Sequence, residues 1–353
     1  MTAYAIYRLP HEDHATLIRQ TDGEPAEYLS FAELNGKRGF VVAPFEVKED
    51  QPVLLIQGET EVLSLTDIFR QKNIRDINSP RQSNRVTDIS PYYKIDFANF
   101  HSQLENDQFR KIVLARCVDE TMENPVDSMT LFYTACEMYP RLFIALVETQ
   151  KSGCWLTATP EILLEGEGRD WRTIALAGTM KLEGEQLNGE GETLRWSTKN
   201  IQEQRIVATY ITECLEQFTG EIREDGPRTV RAANLVHLRS DFTFSLPDNQ
   251  HLGHLLLALH PTPAVCGLPK REAFQFITKN EHTPRRYYSG FMGPLQMEHT
   301  HLYVSLRCMN IEGNTYHLFA GGGLLKDSTE EQEWAETEAK LETMRRILDI
   351  KTE

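Results

Sequence analysis

The chain has 353 residues, 40% hydrophobic and 9% aromatic, so it can bury a substantial core and is neither disordered nor fibrous. Its formal net charge of −15 excludes an extended nucleic-acid surface, which needs clustered Lys and Arg. No apolar run approaches the roughly 20 residues of a membrane-spanning helix, and residues 1–8 lack the pattern of a secretory signal. We therefore expect a cytoplasmic protein, in which an anionic ligand would need a local cationic pocket or a metal ion.

The six cysteines are spread along the chain without a CxxC pair or any other zinc-type spacing. They are Cys117, Cys136, Cys154, Cys214, Cys266 and Cys308. We expect buried free thiols in a reducing compartment.

The first 94 residues alternate short apolar runs with polar turns, and no group of residue types in them suggests catalysis. Residues 39–43 and 52–56 are typical of β-strands. Residues 78–83, which include Ser79-Pro80, are typical of a connection between elements.

Strand patterns dominate the next region, after a helix predicted over residues 92–108. Five apolar runs rich in β-branched and aromatic residues follow this helix. They cover residues 111–116, 142–147, 153–158, 161–165 and 171–177. The short links between them favour an antiparallel sheet over strand-helix-strand winding.

A long helix is predicted from Thr193 to Phe218, because apolar residues recur at spacings of three and four. The recurring residues are Val207, Ile211, Cys214 and Phe218. Glu203 falls on the same face, where a carboxylate is costly unless a partner compensates it. Helical geometry also allows Glu203 to lie at the border of this stripe, reaching water or pairing with Lys199 or Arg205.

The C-terminal region predicts a β-hairpin, a glycine turn and a helix in succession. Residues 302–309 and 315–320 predict the two strands, which turn at Glu312-Gly313-Asn314. Residues 321–323 are three glycines, which let backbone N–H groups approach a ligand closely. Ser328 and Glu331 have capping-box spacing and predict the start of a helix that runs to Leu348.

Two carboxylates and an ammonium share one face of this final helix, since Glu333, Glu336 and Lys340 are spaced by three and four residues. Such a face suits a hard cation together with an anionic substrate. Magnesium fits better than zinc, because the candidate ligands are carboxylate oxygens. A solvated, salt-bridged surface helix would show the same pattern.

Several segments together resemble the chorismate-utilising enzymes, the family that contains isochorismate, salicylate, anthranilate and aminodeoxychorismate synthases. The matching segments follow the family's order and extend over about residues 95–346. They are residues 111–116 (KIVLAR), 158–161 (ATPE), 175–179 (ALAGT), Glu203 in its helix, 235–238 (LVHL), 260–267 (HPTPAVCG), 285–293, 305–308 (SLRC), 319–323 (FAGGG) and 333–337 (EWAET).

The resemblance implies an α+β fold of two large stacked antiparallel β-sheets flanked by helices. It implies one domain over residues 1–353, with a catalytic core at 95–346 onto which residues 1–94 pack. A magnesium ion would meet the carboxylate on the chorismate ring.

The resemblance also assigns roles to individual residues. Glu203 and Glu336 would be direct magnesium ligands, and Glu333 would contribute directly or through water. The substrate's two carboxylates would be held by Arg307, Tyr288, Lys340 and the backbone of Gly321, Gly322 and Gly323. The pocket would be lined by Gly178, Thr179, His237 and Ala264.

The chemistry of the family divides between a base and an acid. Moving the hydroxyl from ring carbon 4 to carbon 2 requires an activated water on one side and a protonated leaving hydroxyl on the other. In the resemblance Lys111 is the base and Glu161 the acid, provided that the lysine is kept neutral and the carboxyl is kept protonated. Taken alone, Lys111 could be a strand-edge lysine in water and Glu161 a turn carboxylate.

Lys111 also separates the members of the family, because the ammonia-using enzymes typically have glutamine at this position. A lysine favours water as the nucleophile, hence isochorismate synthase or a salicylate-forming enzyme, and residues 260–267 look more like the former. We expect a monomer without an amidotransferase subunit. An aminating synthase subunit and a non-catalytic chorismate-binding protein remain alternatives, and the pathway (menaquinone, siderophore or salicylate) stays open.

Overall fold

Two antiparallel β-sheets stacked face to face form the centre of the molecule. The computed structural model describes residues 3–72, 88–181, 195–232, 235–297 and 299–349. In chain order the strands are β1 (Ala3–Arg8), β2 (His14–Gln20), β3 (Ala26–Tyr28), β4 (Gly39–Ala43), β5 (Val53–Ile56), β6 (Glu59–Ser64), β7 (Lys111–Thr121), β8 (Phe143–Thr149), β9 (Gly153–Thr159), β10 (Ile162–Glu167), β11 (Asp170–Lys181), β12 (Ile222–Ala232), β13 (Leu235–Ser245), β14 (Gly267–Leu268), β15 (Phe291–Leu295), β16 (Thr300–Val304), β17 (Cys308–Glu312) and β18 (Thr315–Leu324).

The first sheet has the order β14-β7-β18-β17-β9-β8-β1-β2-β6, and the second has the order β12-β13-β11-β10-β16-β15-β4-β5-β3. The helices are α1 (Leu65–Lys72), α2 (Pro91–Glu105), α3 (Ser128–Met138), α4 (Thr198–Leu215), α5 (Leu252–Leu259), α6 (Lys270–Asn280) and α7 (Glu330–Leu348), with a short 3-10 helix at Phe31–Leu34. The predicted antiparallel fold is confirmed.

The central strands of both sheets are buried on both faces and are almost continuously apolar, whereas the edge strands β6 and β12 carry exposed polar residues. In β1, Ala5 and Tyr7 face the second sheet, whereas Ile6 packs with residues of α3 and α7 on the outer face. The outer face of the second sheet packs against α4 and α5. Between the sheets, Phe143 stacks on Tyr303 with ring centroids 4.3 Å apart. Four layers result, with helices outside and the sheets within.

The N-terminal strands complete both sheets. Strand β1 pairs with β8 in the first sheet, and β4 pairs with β15 in the second. The strands predicted at residues 39–43 and 52–56 are present as β4 and β5. The connection predicted at residues 78–83 lies outside the described residues.

The chain passes from one sheet to the other within a run that the sequence predicts as one strand, residues 302–309. Strand β16 ends at Val304 in the second sheet, and β17 begins at Cys308 in the first. Between them Arg307 has a positive φ of 45°, which breaks the extended backbone. The prediction of a single strand is therefore wrong, although the hairpin of β17 and β18 forms with Glu312 opposite Thr315.

Two predictions for the segment before the final helix are also wrong, namely the glycine turn and the helix cap. Residues 321–323 form no turn, because they continue strand β18 and pair with Leu114 and its neighbours in β7. Ser328 does not cap the helix. Thr329 occupies the N-cap position, while the Ser328 hydroxyl accepts from the backbone N–H of Leu325 and donates to Glu333.

The two other predicted helices are present with shifted ends. The helix predicted at 92–108 is α2, which starts with a proline at its first position. The helix predicted at 193–218 is α4, and residues 193 and 194 lie outside the described residues. Ser197 caps it, since its hydroxyl accepts from the backbone N–H of Asn200. No helix in the described part of the chain is long and apolar enough to cross a membrane.

Candidate active site

A small buried cavity collects most of the residues that the sequence predicts as functional. Its lining comes from both sheets, from α4 and α7, and from the loop between α5 and β14. The predicted residues that line it are Glu161, Gly178, Thr179, Glu203, His237, Ala264, Tyr288, Arg307, Gly321, Gly323 and Lys340. The other predicted residues, Lys111, Gly322, Glu333 and Glu336, do not line it, and most of them contact residues that do.

Lys111 is completely buried at the start of β7. Its Nζ lies 2.8 Å from Oε1 of Glu203, which projects from α4. Burying a lone charge of either sign is costly, and this ion pair compensates both groups. The partner of Glu203 is therefore neither Lys199 nor Arg205, and the structure pairs Lys111 with a carboxylate where the sequence predicts a neutral lysine.

The three glycines of β18 provide space for polar and charged side chains. A Cβ atom on Gly321 would lie 2.7 Å from the Tyr288 hydroxyl, and one on Gly322 would lie 2.8 Å from Oε2 of Glu333. A Cβ atom on Gly323 would collide with Glu203 and lie 2.8 Å from Cε of Lys111. Alternate residues of a strand face opposite sides, so the glycines admit groups to both faces of β18.

Three carboxylates in and around the cavity are each matched by a lysine. Beside the pair of Lys111 and Glu203, Lys199 forms an ion pair with Glu333. The third pair is Lys340 with Glu336, at 2.8 Å.

Lys340 also donates to the backbone carbonyl of Gly321. From the sequence, Lys199 is predicted only as a possible partner of Glu203. The sequence could not assign the pairing, because Lys199 and Glu333 meet only through the fold.

Glu333 is the least compensated of the three carboxylates. It is 1% exposed, and its Oε1 accepts from the Ser328 hydroxyl. Its Oε2 has no hydrogen-bond partner among the described residues. Burial, followed by the neighbouring charge of Glu336, raises the pKa of Glu333 to about 7.

These residues suit a magnesium ion by their chemistry, and their side chains would have to turn toward one another to hold it, because the oxygens of Glu203, Glu333 and Glu336 do not all lie within 4.8 Å of one another. The donors are carboxylate oxygens, the Oε2 atom of Glu333 has no partner within the described structure, and the absent side chains of Gly322 and Gly323 leave space beside Glu333 and Glu203. Hard oxygen donors of this kind suit magnesium. A magnesium ion here would balance the carboxylate charges that the lysine ammonium groups balance in this structure.

Arg307 is held by a chain of hydrogen bonds that starts in β11. His237 Nδ1 lies 3.2 Å from the carbonyl oxygen of Gly178, and His237 Nε2 lies 2.6 Å from NH2 of Arg307. Burial, and then the charge of Arg307, holds the pKa of His237 far below its usual range. The neutral ring therefore donates through Nδ1 to Gly178 and accepts from Arg307, which fixes the guanidinium in the cavity wall.

Glu161 lies just before β10, after Thr159-Pro160. Burial raises its pKa to about 8, and the nearby charges of Lys111, Lys340 and Arg307 oppose this shift. The carboxyl therefore carries its proton at neutral pH, as a general acid requires.

Arg285 supports this region from behind, and the sequence assigns it no role although it begins one of the matched segments. It is buried and donates to the backbone carbonyls of Val113 and Val265. It also pairs with Glu281, which accepts from the N–H of Ala115. This network ties β7, which carries Lys111, to the loop that carries Ala264.

Tyr288, three residues after Arg285, contributes its hydroxyl next to the backbone of Gly321. Its ring stacks on Phe319, with centroids 5.4 Å apart and 17° between the planes. Burial raises the pKa of the phenol, so the hydroxyl stays protonated and can donate to an anion.

Comparison with known proteins agrees with this architecture. A family model described as "Chorismate binding enzyme" matches residues 34–349. Isochorismate synthase EntC of Escherichia coli (strain K12) is 30% identical over 247 residues, which are 69% of this chain and 63% of that protein. The chain thus spans less than two thirds of that relative's length.

Two solved structures have the same fold over nearly the whole chain. MenF, the menaquinone-specific isochorismate synthase from Escherichia coli, has a TM-score of 0.77 at 23% identity and covers 98% of this chain and 89% of its own. Anthranilate synthase component I from Streptococcus pneumoniae TIGR4 has a TM-score of 0.69 at 14% identity, covering 98% and 91%. The chain belongs to the chorismate-binding enzyme family.

Proposed function

We propose that the protein is an isochorismate synthase, which converts chorismate to isochorismate reversibly and in a magnesium-dependent way. The observation that carries this proposal is that a lysine, Lys111, and a carboxyl, Glu161, are both buried near the cavity and can serve as base and acid. The carboxyl is held protonated, and the lysine is close enough to influence its pKa. The 30% identity to isochorismate synthase EntC supports the same reaction.

In the forward direction Lys111 accepts a proton from water as the oxygen of that water bonds to ring carbon 2. The ring double bonds shift, and the bond from carbon 4 to its hydroxyl breaks. Glu161 gives its proton to the departing hydroxyl, which leaves as water. Isochorismate forms with no net gain or loss of atoms.

Lys111 can act as a base only when it is released from its ion pair with Glu203. In the proposal Glu203, Glu336 and Glu333 hold magnesium, so Glu203 gains another partner. Bound magnesium would supply positive charge to the ring carboxylate of the substrate.

The remaining cationic and donor groups of the site hold the substrate. Chorismate carries two carboxylates, and Arg307, Lys340 and the Tyr288 hydroxyl offer two cations and a neutral donor around the cavity. These groups would allow a chain with a net charge of −15 to bind an anionic substrate. These groups surround a cavity of about 70 Å³.

The test is to incubate the purified protein with chorismate and magnesium and to separate the products by chromatography. The proposal expects isochorismate, and the same equilibrium mixture when isochorismate is supplied. Lys111→Ala is expected to abolish turnover. Lys326→Ala is a matched control, because Lys326 pairs with Asp107 at the surface. Salicylate with pyruvate, an aminated product in the presence of ammonia, or binding without turnover would contradict the proposal.

A further inference from the structure

A second group of potential metal ligands lies outside the active site, on the strand pair β7 and β18. Among the described residues, two groups bring three such side chains together. One is Glu12, Asp13 and His14, which are adjacent in sequence. The other is Cys117, Asp119 and His317, which the fold assembles from two strands.

The register of the sheet places these three side chains on one face. Cys117 and Asp119 are two residues apart in β7, and His317 of β18 is directly opposite Asp119. Asp119 Oδ1 lies 2.7 Å from Nδ1 of His317 and 3.8 Å from Sγ of Cys117. All three ligand atoms lie within 4.8 Å of one another. With metal–ligand bonds of about 2.0–2.3 Å, the ligands of one tetrahedral ion lie about 3.3–3.8 Å apart, so small rotations of these three side chains would bring all of them onto one ion.

The other nitrogen of His317 also has a partner suited to a metal site. Its Nε2 lies 3.7 Å from Oε2 of Glu312, in the neighbouring strand β17. Metal-binding histidines commonly direct their second ring N–H to a carboxylate, which fixes the tautomer and the ring orientation. Glu312 can perform this role once Nδ1 binds an ion.

The ligand types select the metal. A thiolate, an imidazole and one carboxylate favour a borderline cation such as zinc, whereas the three carboxylates around Glu333 favour magnesium. Cys117 is six residues beyond Lys111 in the same strand, about 20 Å away in extended geometry. The two groups of ligands are therefore separate sites.

We propose that Cys117, Asp119 and His317 form a zinc-class metal site, with water as the fourth ligand, that clamps β7 to β18. These two strands also carry Lys111 and the glycines of the active site. A bound ion would stabilise the pairing of β7 with β18.

Cobalt(II) is the probe for this site, because a cobalt–thiolate bond gives a charge-transfer absorption band in the near ultraviolet. We expect titration of the intact protein, with magnesium in excess to fill the carboxylate site, to produce this band and to saturate at one equivalent. Cys117→Ser should abolish the band, and His317→Ala should weaken cobalt binding at least about tenfold. Cys154→Ser is the matched control and should keep it, because Cys154 is a partly exposed thiol of the same sheet outside the group.

Cys117→Ser changes one atom, and its circular dichroism melting curve without metal should match that of the parent. If it does not fold, Asp119→Asn at an exposed side chain provides the same test through weaker cobalt binding. Absence of the band in the parent protein, its persistence in Cys117→Ser, or its loss in Cys154→Ser would overturn the proposal.

Discussion

The apolar layer between the sheets and the charged cavity beside it are both buried, but they contribute to the protein in opposite ways. Around Phe143 and Tyr303, burial and ring stacking favour the folded state. Around Lys111 and Glu203, each charge loses its hydration and recovers part of that loss from its partner. The first region stabilises the fold, whereas the second contributes little to stability for the charge that it buries.

The largest expected effect is the loss of activity when Glu161, the proposed acid in the charged region, is replaced. Glu161→Gln should lower kcat by roughly 10²- to 10⁴-fold, the usual contribution of a general acid. The melting temperature should hardly change, because an amide replaces a carboxyl that is already uncharged at neutral pH. Chorismate turnover and calorimetry measure the two effects. An active Glu161→Gln variant would remove Glu161 from the mechanism.

The apolar region should respond in the opposite way. Phe143→Ala should lower the free energy of unfolding by about 3–5 kcal/mol, since it leaves a cavity opposite Tyr303. Urea unfolding measures the loss, and turnover at a temperature where the variant is folded should stay near that of the parent. A small stability change with a large loss of activity would contradict the division between the regions.

A smaller effect is expected where the backbone of β18 approaches the charged groups. Gly323→Ala should weaken magnesium binding roughly 10- to 100-fold, because its Cβ atom would displace Glu203. Gly220→Ala is the matched control, since a Cβ atom there meets nothing within 4 Å. Isothermal titration calorimetry with magnesium compares them. Equal affinities would show that Glu203 is not a metal ligand.

The smallest effect is a graded dependence on pH. Glu161 must be protonated to act as the acid, and its pKa is raised to about 8 by burial. Loss of the Glu161 proton should therefore make forward kcat fall about tenfold per pH unit above about pH 8, whereas the limb at lower pH reports the base. A pH–rate profile measures both limbs, with circular dichroism at each pH to confirm folding. A rate that stays constant from neutral pH to well above pH 8 would contradict the assignment of Glu161 as the acid.

The two regions also differ in how far the sequence predicts them. The apolar strands, the antiparallel arrangement and the stripe on α4 follow from local patterns, because burial repeats along the chain with the period of each element. The pattern fails at Arg307, where an apolar run continues across two sheets. It also fails at residues 321–323, since glycines that admit neighbouring side chains look like glycines that form a turn.

The charged region depends on contacts between distant segments, and periodicity carries no information about them. Glu203 is recognisable as a carboxylate on an apolar face, yet its partner Lys111 is 92 positions away. The role of Arg285 likewise appears only once Val113 and Val265 are brought together. Family resemblance, rather than spacing, is what assigns roles to Lys111 and Glu203, and it leaves Arg285 without one.

The most direct test of the central claim, that Lys111 activates water while Glu161 releases the hydroxyl of carbon 4, is to run the reaction in water enriched in oxygen-18. Mass spectrometry of the isochorismate formed from unlabelled chorismate then locates the new oxygen. The account predicts that the hydroxyl on carbon 2 carries the solvent label. Unlabelled isochorismate would mean that the original hydroxyl migrates without exchange and would contradict the mechanism.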